Sequence, residues 1–190
     1  MSDTLPPSFS VRVPEGDGLP RRVCDHCRFV AYENPKIVVG SVVRAGDEVL
    51  LCRRAIEPRR GFWTIPAGYM ELNETPEEGA SREAREEAGA RIAIERLLAV
   101  YSVPRISQVQ LIFRATLEDR ALEAGPESLE LRLFRWDDIP WDELAFPSVH
   151  WALHHEREAA AGASPVPFGN PAGEAGTHMP DGRPLPVGDF

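Results

Sequence analysis

The sequence predicts an α+β domain, and three observations predict it. Two Val/Ile-rich runs, 36–43 and 48–53, flank Ala45-Gly46-Asp47 and read as a hairpin. The segment 75–89 carries helix signals at both ends, with further strand-like alternation beyond it. Pro147 then opens a second helical stretch to about Ala161. Strands and helices thus mix along the chain, and periodicity alone does not choose among α+β arrangements.

In chain order, residues 1–19 are rich in Pro, Ser and Gly and read as irregular. Cys24-Asp25-His26-Cys27 is a C-x2-C knuckle, half of a zinc ribbon. Tetrahedral zinc needs two more ligands, and residues 11–22 hold no Cys or His. His26 does not suit the knuckle geometry, and Cys52 falls in a predicted strand. Three cysteines do not make a disulfide framework. Asn34-Pro35 marks a boundary.

Arg53, Arg54, Arg59 and Arg60 cluster in a chain of net charge -9. Guanidinium forks fit phosphate oxygens, so these arginines are candidate substrate contacts, against the plainer reading of surface ion pairs. Phe62, Trp63 and Tyr69 are candidate stacking faces, although core packing is the commoner fate of such rings. Pro66 and Gly68 force an irregular backbone just before the helical segment and leave a carbonyl free near its acids.

That segment starts on Thr75-Pro76-Glu77-Glu78: Thr75 suits the cap, Pro76 the first helical position, and Glu78 the return bond of a capping box. Gly89 suits a left-handed stop. Between them Glu83, Glu86 and Glu87 share one face, and Ala80, Ala84 and Ala88 run beside them as a stripe small enough to lie close on a sheet. Acids towards a helix C-terminus oppose the macrodipole. Two carboxylates about 6 Å apart repel by roughly 3 kcal/mol at an effective dielectric of 20. Hard divalent cations, Mg²⁺ or Mn²⁺, would reverse that cost. A solvated acidic face is the plainer alternative.

Gly68, Glu74, Arg82, Glu83, Glu86, Glu87 and Gly89 together resemble the signature of the Nudix hydrolases, G-x5-E-x7-R-E-U-x-E-E-x-G-U, with Ala84 and Ala90 at the two bulky positions. The run from Arg12 to Val43 is similar to the branch with an N-terminal zinc ribbon, which includes ADP-ribose and FAD pyrophosphatases. That branch has two C-x2-C pairs, and only the second stands here, which implies an inherited ribbon fold with its metal lost. Bound zinc would require partners for Cys24 and Cys27 that the segment does not supply.

The resemblance implies a Nudix α/β/α sandwich around a mixed sheet, with a small ribbon-like segment before it. The expected divisions are an N-terminal extension at 1–34, a Nudix domain at 35–162 and a Pro/Gly-rich tail at 163–190, disordered or draped over the surface. It implies metal-dependent hydrolysis of a nucleoside diphosphate linked to another moiety, ADP-ribose or FAD foremost, giving two monophosphates. Alternatives are NADH or nucleoside triphosphate hydrolysis, or a sensor that binds without turnover. The motif SQPWPFPxS of NADH pyrophosphatases is absent, while Pro104 stands where ADP-ribose enzymes often carry a proline.

Metal would be held by Glu83, Glu86, Glu87 and the Ala67 carbonyl. Arg82 would orient a box glutamate, and Glu74 would brace the loop. A further glutamate would come from the strand after Gly125-Pro126, with Leu129, Leu131 and Leu133 inward and Glu130 opposite. Glu130 is the first choice and Glu127 the second. Glu83 or Glu130 would be the general base. Substrate contacts would come from Arg53, Arg54, Arg60, Phe62 and Tyr69. His150, His154 and His155 read as surface or packing residues of the second helix. Relatives are commonly homodimers, and a homodimer is expected here.

The acidic balance argues against a nucleic-acid or membrane partner, including a ribbon-driven nucleic-acid module. No apolar run reaches spanning length, and the N-terminus lacks the regions of a signal peptide, so a cytoplasmic protein is expected.

Overall fold

A computed structural model of the protein describes residues 8–162, 166–183 and 185. The chain divides into two units, Met1–Pro35 and Lys36–Phe190. Residues 1–7 and most of 184–190, on which part of the irregular-terminus expectations rest, lie outside the described residues.

The first unit is an antiparallel sheet of β1 (Phe9–Arg12), β2 (Arg21–Cys24) and β3 (Val30–Ala31), in that spatial order. β1 corrects the expectation of an irregular stretch to residue 19: Phe9–Arg12 pairs in register with Cys24–Arg21. At the knuckle, the Cys24 N–H donates to the Phe29 carbonyl and the Arg28 N–H to that of Cys24, with Arg28 at φ 65°. Asp25 accepts from Ser8, Ser10 and Arg12, and these bonds, Ser10's first, hold its carboxyl below the usual range. Cys24 is buried, Cys27 is exposed, and neither is in a disulfide.

The second unit is built on a seven-stranded sheet. β4 (Lys36–Ala45) turns through Gly46, at φ 72°, into β5 (Glu48–Arg54), the two-residue hairpin expected of Gly-Asp. The short strands β6 (Trp63–Thr64) and β7 (Ala67–Tyr69) pair with β5 and β4. α1 (Pro76–Ala88) follows, then β8 (Ile92–Val103), β9 (Gln108–Leu117), β10 (Ser128–Arg135) and α2 (Pro147–Ala160). The main path is β10-β5-β4-β9-β8. β4 and β9 run parallel and the other pairs antiparallel, so the sheet is mixed.

Each sheet face carries one helix. Ala84 and Ala88 of α1 pack with Val43, Leu50, Cys52, Ala115 and Leu117, and Ala80 packs with Val39 and Phe113. All three alanines are fully buried, as a stripe that lets a helix lie close should be. On the opposite face Val149, Ala152 and Leu153 of α2 cover Val42, Leu51, Leu98, Tyr101 and Ile112. The arrangement is the expected α/β/α sandwich. No described helix is long and apolar enough to cross a membrane.

Two local expectations change. The β10–β5 register shifts between Ser128 and Glu130. Leu129 is therefore exposed, while Leu131 and Leu133 do turn to the α1 side. The described part of the tail is draped and docked, with Met179 and Leu185 buried.

Candidate active site

Local sequence sets the acidic helix as expected. The Glu78 N–H donates to Thr75 Oγ1 at 3.2 Å, and the Thr75 N–H donates to Glu78 Oε2 at 2.8 Å, closing the capping box. Gly89 ends the helix at φ 62°, in the left-handed region.

Arg82 ties the acids together. Its guanidinium donates to Glu74 (3.0 and 2.9 Å), to Glu83 (2.7 Å), to Glu86 (3.0 Å) and to the Tyr69 carbonyl (3.0 Å). Glu74 in turn accepts from the Glu71 N–H at 2.6 Å, and Arg82 draws its carboxyl down to about 2. Glu83 and Glu87 are buried, while Glu86 is exposed. Burial is the main reason that the Glu83 carboxyl is raised above its usual range. Burial, with Glu83 beside it, pushes Glu87 up to about 8, against a lowering by Arg54 and a backbone hydrogen bond from Ala67.

These acids border a cavity of about 840 Å³. Arg54, Ala67, Tyr69, Arg82, Glu83, Glu86 and Glu87 all line it, as does the second choice, Glu127. Glu130, the first choice, does not. It pairs with Arg53 at 3.3 Å, and both stand opposite the residues that face α1. The cause is alternation: Cys52 and Arg54 point to the α1 side of β5, so Arg53 points away from it. Arg60 and Phe62 also lie off the cavity lining. Phe62 lies under Arg59, 3.7 Å from its ring centroid to the guanidinium carbon. Arg59 itself donates to the Ala145 carbonyl, and Arg53 to that of Gly61, so both brace backbone. Trp63 is a core residue, edge-on to Phe134.

The sequence reading missed Gln108, Gln110, Gly176 and Leu185, which also line the cavity. Two glutamines alternating on a Val/Ile/Phe-rich strand were the available signal for the first pair. The tail residues carried none. Of the histidines, His155 meets the Tyr101 hydroxyl at 2.7 Å and His154 stacks on Trp141, which are packing roles.

Among the described residues no three His, Cys, Asp or Glu side chains form a closed metal cluster, and Arg82 takes an oxygen from each of Glu83 and Glu86. The donor set suits a hard divalent cation all the same. Glu87 Oε2 is buried with no hydrogen-bond partner, and the carboxyl that carries it is held short of ionising near neutral pH. A cation among carboxylate oxygens removes both costs. Cys24 and Cys27 have no third and fourth His, Cys, Asp or Glu ligand beside them among the described residues.

A family profile described as "NUDIX domain" matches residues 34–153, and a zinc-ribbon profile described as "Nudix N-terminal" matches residues 7–33. A curated ADP-ribose pyrophosphatase of Methanocaldococcus jannaschii is 30% identical over 123 residues, 63% of this chain and 72% of that protein. A NAD-capped RNA hydrolase, NudC, of Salmonella heidelberg is 32% identical over 121 residues, which are 62% of this chain but only 46% of that one. The crystal structure of a NUDIX hydrolase from Nitrosomonas europaea superposes with a TM-score of 0.82 at 47% identity, covering 88% of this chain and 96% of that one.

Proposed function

This chain belongs to the Nudix hydrolases and is a pyrophosphohydrolase, and on that premise we propose that it splits a nucleoside diphosphate joined to a second moiety, ADP-ribose or FAD foremost, into two monophosphates. The observation that carries this reading is the convergence of Glu83, Glu86, Glu87 and Arg54 on one cavity large enough for such a ligand. The similarity to an ADP-ribose pyrophosphatase supports the substrate class.

Glu83, Glu86 and Glu87, with the Ala67 carbonyl, would hold Mg²⁺ or Mn²⁺. When bound, the cation supplies positive charge against the diphosphate and makes water a better acid. Arg54, on the same cavity, offers a guanidinium to phosphate oxygens. Water adds to one phosphorus, the bridging P–O bond breaks, and its electron pair leaves on the second phosphate. A carboxylate accepts the water proton. Glu83, which Arg82 holds at the cavity and burial raises above the usual carboxylate range, is our choice for that role. Glu127 is the glutamate we assign from the β10 segment, in place of Glu130. Arg82, bonded to Glu83 and Glu86, acts as their positioning residue.

The test is incubation with ADP-ribose, FAD, NADH and a nucleoside triphosphate, with and without Mg²⁺. Metal-dependent monophosphate release from ADP-ribose or FAD is expected, and release from none of the four refutes the reading. Glu127→Gln should lower kcat at least tenfold, and Glu130→Gln should change it less than twofold. The reverse order would restore Glu130.

A further inference from the structure

The family profile ends at residue 153, yet residues well beyond it line the cavity. After α2 the chain returns along β8. Phe168 bridges Ala99 in parallel, donating its N–H to the Leu98 carbonyl at 2.9 Å and accepting from the Val100 N–H at 2.9 Å. Its ring stacks on His155, with centroids 4.3 Å apart and planes within 7°. Asn170 then clamps Ser102: its Oδ1 accepts from the Ser102 N–H and its Nδ2 donates to the Ser102 carbonyl, each at 2.8 Å. Four hydrogen bonds and a ring stack thus hold this segment against β8 and α2. Gly176, at φ +70°, lies so close to β8 that a Cβ there would stand 3.2 Å from Val103 Cγ1. Leu185 is buried and donates its N–H to the Thr177 carbonyl at 3.4 Å.

The part of the cavity beside this wall differs in chemistry from the part beside α1. Val103 pairs with Gln108, and Tyr101 with Gln110, so these side chains share the face that α2 covers. Gln110 Nε2 donates to Gln108 Oε1 at 3.3 Å, and Gln108 Nε2 donates to the Tyr69 hydroxyl at 3.1 Å. A chain of amides with unspent donors and acceptors thus lies against apolar walls of Val103, Ile106 and Leu185. A planar heterocycle has the matching surface: apolar faces and a hydrogen-bonding edge.

We propose that residues 166–183 and Leu185 form the outer wall of a nucleobase slot, with Leu185, Gly176 and Val103 against the ring and the Gln108–Gln110 amides on its edge. This rests on the reading of the substrate as a nucleoside diphosphate derivative and adds where its base is held. The segment is then a specificity determinant, supplied from outside the family-matched residues, while the α1 acids serve any diphosphate.

The test is calorimetric titration of the full chain, with Mg²⁺, by AMP, GMP, CMP, UMP and ribose 5-phosphate. At least one nucleotide should bind about tenfold more tightly than ribose 5-phosphate. Leu185→Ala should erase most of that preference and leave ribose 5-phosphate within twofold. Asn170→Ala alters no cavity residue and only unpins the segment, so it should act in the same direction with the fold intact by circular dichroism. The proposal is overturned if the five ligands bind alike, if the variants weaken all five equally, or if the variants change nothing. Selective nucleotide binding without any diphosphate hydrolysis would overturn the reaction and keep the slot. Hydrolysis without base preference would do the opposite.

Discussion

Replacing Glu87 by glutamine removes a charge that the fold holds at a cost, and that cost has a pH signature. The carboxyl titrates near 4.5 in an ordinary setting and is pushed up to about 8 here, chiefly by burial and then by Glu83. The folded state therefore binds the Glu87 proton more tightly than the unfolded chain. The corresponding stability is complete below about pH 4.5 and is lost as pH rises to about 8, beyond which the penalty is constant. Each pH unit well inside that window is worth about 1.4 kcal/mol and the slope falls by half at about pH 8, so the parent should lose about 2 kcal/mol between pH 6 and pH 8 on this account alone. The side chain is only 7% exposed, so solvent does little to shield the charge.

Glu87→Gln keeps the shape and cannot ionise. Urea unfolding with a chelator present, at pH 6, 7 and 8, should therefore show the variant gaining on the parent steadily, by 1–3 kcal/mol over the range. Groups that do not interact with Glu87 titrate equally in both proteins and cancel in the difference, which leaves Glu87 and its coupling to Glu83. The same variant should lose diphosphate hydrolysis by a factor of about 10² or more, because the unpartnered Oε2 is then no longer an anionic ligand. A parent–variant difference that stays flat from pH 6 to pH 8 would refute the claim that burial strains this charge. The argument that a cation relieves the strain would go with it.

Arg82→Lys should destabilise the protein by about 2 kcal/mol in urea and lower kcat at least tenfold, since a single ammonium cannot meet Glu74, Glu83, Glu86 and the Tyr69 carbonyl together. Gly125→Ala should cost about 3 kcal/mol, read as a lower Tm, because a Cβ there would overlap the Glu86 carbonyl and push against the backbone that carries Glu87. Tyr101→Phe should cost about 1–2 kcal/mol with kcat changed less than twofold, since it unpairs a buried His155 nitrogen and neither residue lines the cavity.

What the sequence made legible was local. The caps of α1, its acid spacing, its alanine stripe and the Gly46 hairpin are decided within a few residues, and local chemistry names them. The choice between Glu127 and Glu130 was not decided locally. A shift of one residue moves every later side chain to the other face, and the irregularity at Ser128–Glu130 is set by the pairing with β5, which no stretch of β10 announces. The arginine cluster divides for a related reason. Arg53 and Arg54 are neighbours in sequence and point to opposite faces in space, so only Arg54 of the four reaches the cavity. The tail has no period at all. Its place comes from the bridge to Ala99 and the Asn170 clamp, both made to residues about 70 positions earlier.

The charges around the cavity explain why a cation would matter for binding as well as for chemistry. Glu57, Glu71, Glu83, Glu86, Glu87 and Glu127 lie on its wall, and Arg54, Arg82 and Arg105 are the guanidiniums set among them. Six carboxylates against three guanidiniums leave three negative charges, or two when Glu87 keeps its proton. A diphosphate ester brings further negative charge of its own. Without divalent ions the site therefore repels a diphosphate, and the three guanidiniums are too few to reverse the sign. Lowering Mg²⁺ should then raise KM for the whole substrate while leaving affinity for the free nucleoside unchanged, because the base and its slot carry no part of that repulsion.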